Sequence, residues 1–188
     1  MSTLTVQNIQ GSSTSGNTIS VASGHVLQAP GHVLQVKSAV FTDVLAISSA
    51  DTRTDITNLS LSITPSSTSS KILVNTHISY GGSAANLYAS GNLLRDSTAI
   101  GVNTTATGNQ LNISFGLNLV GQANETYKLR NSSMTFLDSP STTSALTYKV
   151  QGRLDANGIL YINRTGQDAN ADYGSRGIST ITVMEIAG

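Results

Sequence analysis

FLDSPSTTSALTYKVQGR, residues 136–153, is the stretch whose reading decides the fold. Asp138-Ser139-Pro140-Ser141 is turn chemistry, because Pro fixes φ and the Asp and Ser side chains hydrogen-bond nearby backbone amides. Leu146, Tyr148 and Val150 then alternate with Thr147, Lys149 and Gln151, the period-2 pattern of a half-buried strand. The stretch therefore predicts a strand end, a tight polar turn and a second strand. The last apolar run, Ile178 to Ile186, is expected to pair beside it and close a sheet.

Working outward, the same signal repeats. Residues 35–47 predict one long strand, residues 48–57 a polar loop, and 58–64 a strand with Leu59, Leu61 and Ile63 on one face. After a Pro-Ser turn, Lys71 to Tyr80 returns with Ile72, Val74, Ile78 and Tyr80 inward and His77 outward. Arg95-Asp96-Ser97-Thr98 predicts a hairpin tip, and 101–110 a long polar loop. Leu111, Ile113, Phe115, Leu117 and Leu119 alternate over nine residues, the strongest strand signal in the chain. Thr126 to Leu137 predicts a strand interrupted at Asn131-Ser132-Ser133, and Asp155-Ala156-Asn157-Gly158 a hairpin turn. Eight to ten strands with no 3.6-residue periodicity predict an all-β chain: an antiparallel, jelly-roll-like sandwich head with a short extended N-terminal segment. The division is 1–35 for the extended base or anchor and 36–188 for the head.

Composition narrows the function classes. Of 188 residues only 11% are charged, and Lys+Arg equals Asp+Glu at ten each. Serine and threonine together number 50 and asparagine 15. Such a chain suits solvent-facing strand and turn positions and an uncharged surface. Without clustered Lys or Arg it lacks what binds nucleic acid. There is no cysteine, so disulfides and thiolate metal sites are excluded. No apolar run approaches the length of a membrane span, and no signal peptide is visible, so membrane insertion is not expected and the Asn-x-Ser/Thr sites are assigned no glycans.

The segments FLDSPSTTSALTYKVQGR and YINRTGQDANADYGSRGISTITVMEIAG (161–188) resemble the C-terminal domain of tail-fibre and other virion fibre proteins of marine, cyanophage-like bacteriophages. LTVQNIQ (4–10) resembles the start of many phage fibre proteins. The resemblance covers the last third of the chain. It implies an all-β fibre head, built as a homotrimer within a virion assembled in the host cytoplasm. The absence of cysteine suits assembly in a reducing compartment. The apolar islands Leu4, Val6, Ile9, Ile19 and Val21 cannot fold alone. They predict a segment that orders against another virion protein or another copy of the chain.

A repeat, GHVLQ at 24–28 and again at 31–35, places His25 and His32 seven residues apart. In a trimer either would form a three-fold ring, an alternative metal site; the plainer reading is two polar strand residues, and no cofactor is expected. Chemistry is otherwise scarce. A Ser-His-Asp triad is spatial and stays open, but no nucleophile elbow is present. A carboxylate pair would come from Asp138, Asp155, Asp168, Asp172 and Glu185, of which Asp138 and Asp155 read as turn residues. Asp168 to Asp172 resembles part of a calcium loop without its later glycine and glutamate. The chain is thus read as no enzyme.

Host-surface carbohydrate is the expected ligand, since sugars need planar faces and fixed polar groups. Tyr88, Tyr161 and Tyr173, beside Asn92, Asn163, Arg164 and Arg176, offer both. The loops at 81–86 and 101–110 are the favoured receptor regions. The receptor-binding candidates are Asn86, Tyr88, Asn103, Thr104, Tyr173 and Arg176. The rival reading is a capsid decoration or cement protein with no receptor.

Overall fold

The structure, a computed structural model, describes residues 29–120, 124–155 and 158–188. His25, the first copy of the repeat and the apolar islands lie outside the described residues, as do Ala156 and Asn157. The strands are β1 (Val33–Phe41), β2 (Leu45–Ile47), β3 (Thr54–Ile63), β4 (Lys71–Gly82), β5 (Asn86–Leu87), β6 (Ala89–Arg95), β7 (Thr98–Ile100), β8 (Phe115–Gly116), β9 (Leu119–Val120), β10 (Arg130–Asp138), β11 (Leu146–Leu154), β12 (Leu160–Ile162) and β13 (Ser179–Ile186). Among the described residues there is no α-helix, only a 3-10 turn at Glu125–Tyr127. The chain is all-β.

One sheet runs β1-β13-β4-β10, with β12 and then β2 extending it beyond the end of β13; the other runs β3-β11-β6-β7, with β8 beside β6. Every pairing between these strands is antiparallel. Take the eight principal strands β1, β3, β4, β6, β7, β10, β11 and β13 in chain order. One sheet then holds the first, eighth, third and sixth, and the other the second, seventh, fourth and fifth. This is jelly-roll order. Leu59, Ile63, Ile72, Val74, Ile78, Leu146, Tyr148, Val150, Ile181 and Val183 alternate into the space between the sheets and are buried there. Each such side chain stabilises by about 1.5–3 kcal/mol.

The opening stretch folds differently from its reading. β10 and β11 do not pair; residues 139–145 carry the chain from one sheet to the other. β13 lies between β1 and β4, and β11 between β3 and β6. Asp138, expected as a turn residue, is instead a buried clasp across the sandwich. Its two oxygens take Arg95 Nη1 at 2.8 Å each, and its Oδ2 accepts the Tyr148 hydroxyl at 2.6 Å. Burial first, then the bond to Asp138, pushes the Tyr148 phenol up, so it stays a neutral donor. β11 and β12, on either side of residues 155–158, likewise lie in different sheets and form no hairpin. The Arg95–Thr98 hairpin is present, with Asp96 at φ 53°.

Other expectations change as well. The strand at 35–47 is broken into β1 and β2 at residues 42–44, so its halves pair with β13 and β12 respectively. Asn163 fills the break: its Nδ2 donates to Phe41 O and Asp43 O, each at 2.8 Å. The run 111–119 yields only β8 and β9. Side chains extend a two-residue ladder with β6 there. Ser114 Oγ accepts Leu93 N at 3.0 Å, and Asn118 Oδ1 accepts Ala89 N at 2.9 Å. β10 passes through Asn131-Ser132-Ser133 without interruption, and β3 starts four residues before Asn58, inside the expected loop. The sheet also recruits residues assigned to the extended base. β1 begins at Val33, and Gly31 N and Ala187 N donate to Ala187 O and His32 O, both at 2.8 Å.

Gly91 makes room for Phe115. A Cβ on Gly91 would stand 2.0 Å from Phe115 Cε2. Gly91→Val is therefore expected to cost about 2–3 kcal/mol and to expel the ring, freeing the segment after loop 101–110. Thermal melting together with near-ultraviolet circular dichroism reads this; an unchanged melt would contradict the close approach.

The outward face of the first sheet carries one apolar row across four strands: Val36 opposite Met184, Met184 opposite Leu73, Leu73 opposite Leu137. The adjoining row is Ser38, Thr182, Asn75 and Thr135. Val36 and Leu137 are more than half exposed, at 55% and 53%.

Candidate functional site

On the second sheet, Ser90, Asn92 and Leu94 of β6 stand opposite Arg153, Gln151 and Lys149 of β11, on the face away from the core. All three β6 residues are nonetheless buried. The segment from 101 to 114 covers them, tied down where Ser114 N donates to Gly91 O at 3.0 Å and Ser114 Oγ to Ile100 O at 2.9 Å. Between this segment and the sheet lies a cleft of about 440 Å³, within the range of small-ligand sites. Ala89 and Ser90 contribute from β6, and Arg153 and Asp155 from β11 and its end. Asn103, Thr105, Ala106 and Gln110 to Ile113 come from the covering segment, and Tyr88 and Asn118 complete the lining.

The covering loop is held by its own side chains. Asn103 Oδ1 accepts Thr105 N and Thr105 Oγ1, both at 2.7 Å, an Asx turn. Gln110 Oε1 accepts Thr107 N at 3.0 Å, and Gln110 N returns to Thr107 O at 3.1 Å. On the sheet, Arg53 Nη1 donates to Asn92 Oδ1, and Arg153 Nη2 pairs with Asp51 Oδ1. Burial first, and the Arg153 charge second, pull the Arg53 guanidinium down from its ordinary value. Asp55 beside them is held below the usual carboxylate range by its Lys149 hydrogen bond, against burial, with help from Gln151. Ser90 Oγ stands out. Among the described residues it is the one buried side-chain polar atom with no hydrogen-bond partner. Buried hydroxyls are nearly always paired, so an orphan facing a cleft needs an explanation.

The six expected receptor residues divide. Tyr88 and Asn103 line the cleft, with Tyr88 half exposed. Asn86, exposed in the short β5–β9 pair, and exposed Thr104 flank those two in sequence without lining it. Tyr173 and Arg176 belong to the loop at 166–177. Tyr173 meets Tyr127 edge-on at 5.2 Å, and Arg176 pairs with Asp168, which also faces Arg164 at 3.6 Å. Arg176 lines a separate hollow with residues 168–171 and Gly174.

Three residues weighed as sugar contacts are otherwise engaged. Asn163 is fully buried, Asn92 is 2% exposed, and the Tyr161 ring is covered by the Arg164 guanidinium at 3.5 Å. Asp168, taken by two arginines, is not free for a calcium ion. The carboxylates weighed as a catalytic pair have separate partners: Asp138 has Arg95 and Tyr148, and Glu185 has Gln35, Ser66 and Ser70. Asp155 is the one carboxylate of the cleft lining. Among the described residues no group of three His, Asp or Glu side chains is placed to hold a metal. Sequence reasoning missed Ser90, Asn118 and Arg153, and reached Gln110 only as the end of the favoured loop 101–110. The amide signals of Gln110 and Asn118 were available beside the apolar alternation of 111–119; Ser90 had none.

No family model and no curated protein matches the chain. Among solved structures, a chain of infectious bursal disease virus Gx strain is similar at a TM-score of 0.42 and 13% identity, over 91% of this chain and 42% of that one. A chain of the infectious bursal disease virus VP2 subviral particle gives 0.38 and 14%, over 90% of this chain and 42% of that one. The chain thus spans well under half the length of these viral chains.

Proposed function

We propose that the chain is a structural subunit of a bacteriophage virion, a short fibre or spike whose jelly-roll head is displayed as a homotrimer and binds host-surface carbohydrate, without catalysis. The observation that carries the binding part is the cleft over β6. It is preformed, mixed apolar and polar, and it holds an unsatisfied buried hydroxyl on a fold whose other buried side-chain polar atoms, among the described residues, are paired. The virion part is supported by the resemblance of residues 136–153 and 161–188 to phage fibre heads. A lone lining carboxylate favours binding over glycoside hydrolysis, which uses two. Residues 1–28 then join the head to another virion protein. Three weak sites on one head gain avidity where the host surface repeats its sugar.

A second copy of the chain is the occupant proposed for the apolar row Val36, Met184, Leu73 and Leu137. One flank of the row, Ser38, Thr182, Asn75 and Thr135, is uncharged, and the other carries a single charge, Lys71, so little repels a like face. Light scattering on the purified chain is expected to give about three times 19.5 kDa. Val36→Glu with Leu137→Glu, both at exposed positions, is expected to reduce that to the single-chain mass without unfolding. A stable monomer of the unaltered chain would overturn the trimer and favour a decoration subunit that assembles only on the particle. A glycan array probed with the intact chain tests the cleft; silence across it would overturn the receptor reading.

A further inference from the structure

The polarity of the cleft is biased in a way that names its ligand. Asn103 and Gln110 each accept a backbone N–H of the covering loop, and Asn118 accepts that of Ala89. A backbone N–H only donates, so the bonded atom of each side chain is its oxygen and the NH₂ end is the one left over. No described residue accepts from those three NH₂ groups. The Ser90 hydroxyl is a fourth polar group in the same lining without a partner. The cleft therefore offers three amide NH₂ donors beside the Ser90 hydroxyl, which can donate or accept.

Of its two charged residues, the Arg153 guanidinium is tied to Asp51 and the Asp155 carboxylate has no ion-pair partner among the described residues. Its apolar lining is exposed: Leu111 is 46% and Tyr88 50% accessible, beside Ala106 and Ile113.

We propose that the cleft binds a saccharide through an acetamido group, an N-acetylhexosamine unit of a surface glycan. This deepens the receptor reading above and rests on it. The acetamido carbonyl is a strong acceptor for the carboxamide NH₂ groups. Its methyl fits the apolar surface of exposed Leu111 and half-buried Ile113 and Ala106. Its N–H is a donor for Asp155, and the sugar ring has the Tyr88 face to stack on. A plain hexose offers no methyl and brings as many donors as acceptors. A uronic acid sets a carboxylate in a lining that already holds Asp155 with no unpaired cation. The site thus selects a neutral, acceptor-bearing, methylated substituent.

The test is titration of the full chain, followed by ligand-observed NMR, with N-acetylglucosamine and N-acetylgalactosamine against glucose, glucosamine and glucuronic acid. At least tenfold tighter binding of an acetamido sugar than of its parent hexose is expected. Asn118→Asp and Asn103→Asp keep the oxygen that holds the backbone N–H and remove the donor. Each is expected to weaken binding about tenfold with the melting temperature kept. Ser90→Ala removes a hydroxyl that has no protein partner, so it weakens binding while leaving stability unchanged or raised.

Equal affinity for glucose and its acetamido derivative, with other glycans bound on the array, overturns this inference and leaves the receptor reading standing. So does binding that all three variants preserve. Silence toward every sugar and across the array overturns both.

Discussion

Asn163→Ala is expected to remove about 3–5 kcal/mol of folding stability, read as a shift of the urea midpoint at unchanged slope. Asn163 is fully buried and sits where β12 ends, in the left-handed region at φ 67°. Its Nδ2 caps the two carbonyls that β1 and β2 leave at their break, and its Oδ1 accepts the Ser179 hydroxyl at 2.6 Å. Ser179 Oγ in turn accepts Ser79 N at 3.0 Å, so one side chain links the breaks in two neighbouring strand lines to β4. Removing it strands the buried Phe41 carbonyl, the partly buried Asp43 carbonyl and a buried hydroxyl, at about 1 kcal/mol or more each. Alanine at that φ adds about 1 kcal/mol, which asparagine and glycine avoid. Asn163→Gly should therefore be milder than alanine by about that amount. Asn163→Asp keeps Oδ1 but turns a buried carboxylate oxygen toward two carbonyls, and should be at least as damaging as alanine. A loss below about 1 kcal/mol for alanine would show that the break is held by something else.

Asn163 also shows why part of the fold was illegible. Period-2 alternation located β3, β4 and β11, because half-burial imposes that pattern on a strand in a sandwich, while a turn signal located the β6–β7 hairpin and an apolar run located β13. Pairing is not local. Asp138-Ser139-Pro140 carries turn residues whether the chain returns in the same sheet or crosses to the other, and only Tyr148 and Arg95 decide which. The break between β1 and β2 is set by a side chain some 120 positions away. Residues 111–119 misled because alternation reports burial, and only Phe115, Leu117 and Leu119 are buried there, held to β6 by a two-residue ladder with Ser114 and Asn118 side chains at its ends. Tyr88 and Asn103 were legible as a planar face and a fixed amide in loop regions. Ser90 was not, since an orphaned hydroxyl is defined only by what surrounds it.

Replacing Glu185 should cost about 3 kcal/mol at neutral pH and abolish a specific part of the acid sensitivity. Its side chain is fully buried in β13, on the core side. Burial alone would raise its pKa. Hydrogen bonds from Gln35 Nε2 at 2.6 Å, Ser66 Oγ at 2.7 Å, Ser66 N at 2.6 Å and Ser70 Oγ at 2.7 Å outweigh burial and hold it below the ordinary glutamate value. A carboxylate whose folded pKa is depressed stabilises fully above its unfolded pKa of about 4.3, and that contribution is lost as pH falls through the folded value. Glu185→Ala leaves four donors facing a small void. Glu185→Gln keeps one oxygen but points an NH₂ at groups that can only donate or must give up donating. Both variants lack the titrating group. Urea unfolding at pH 7 and at pH 3 should therefore show the parent chain losing more stability between the two than either variant loses. Asp55 is also depressed, but it is common to all three proteins and cancels in the comparison. Parallel losses in the three would mean that Glu185 is not ionised in the folded state. The four bonds would then be carried by a protonated acid, and the 66–70 turn would be fixed to β1 and β13 by neutral hydrogen bonds alone.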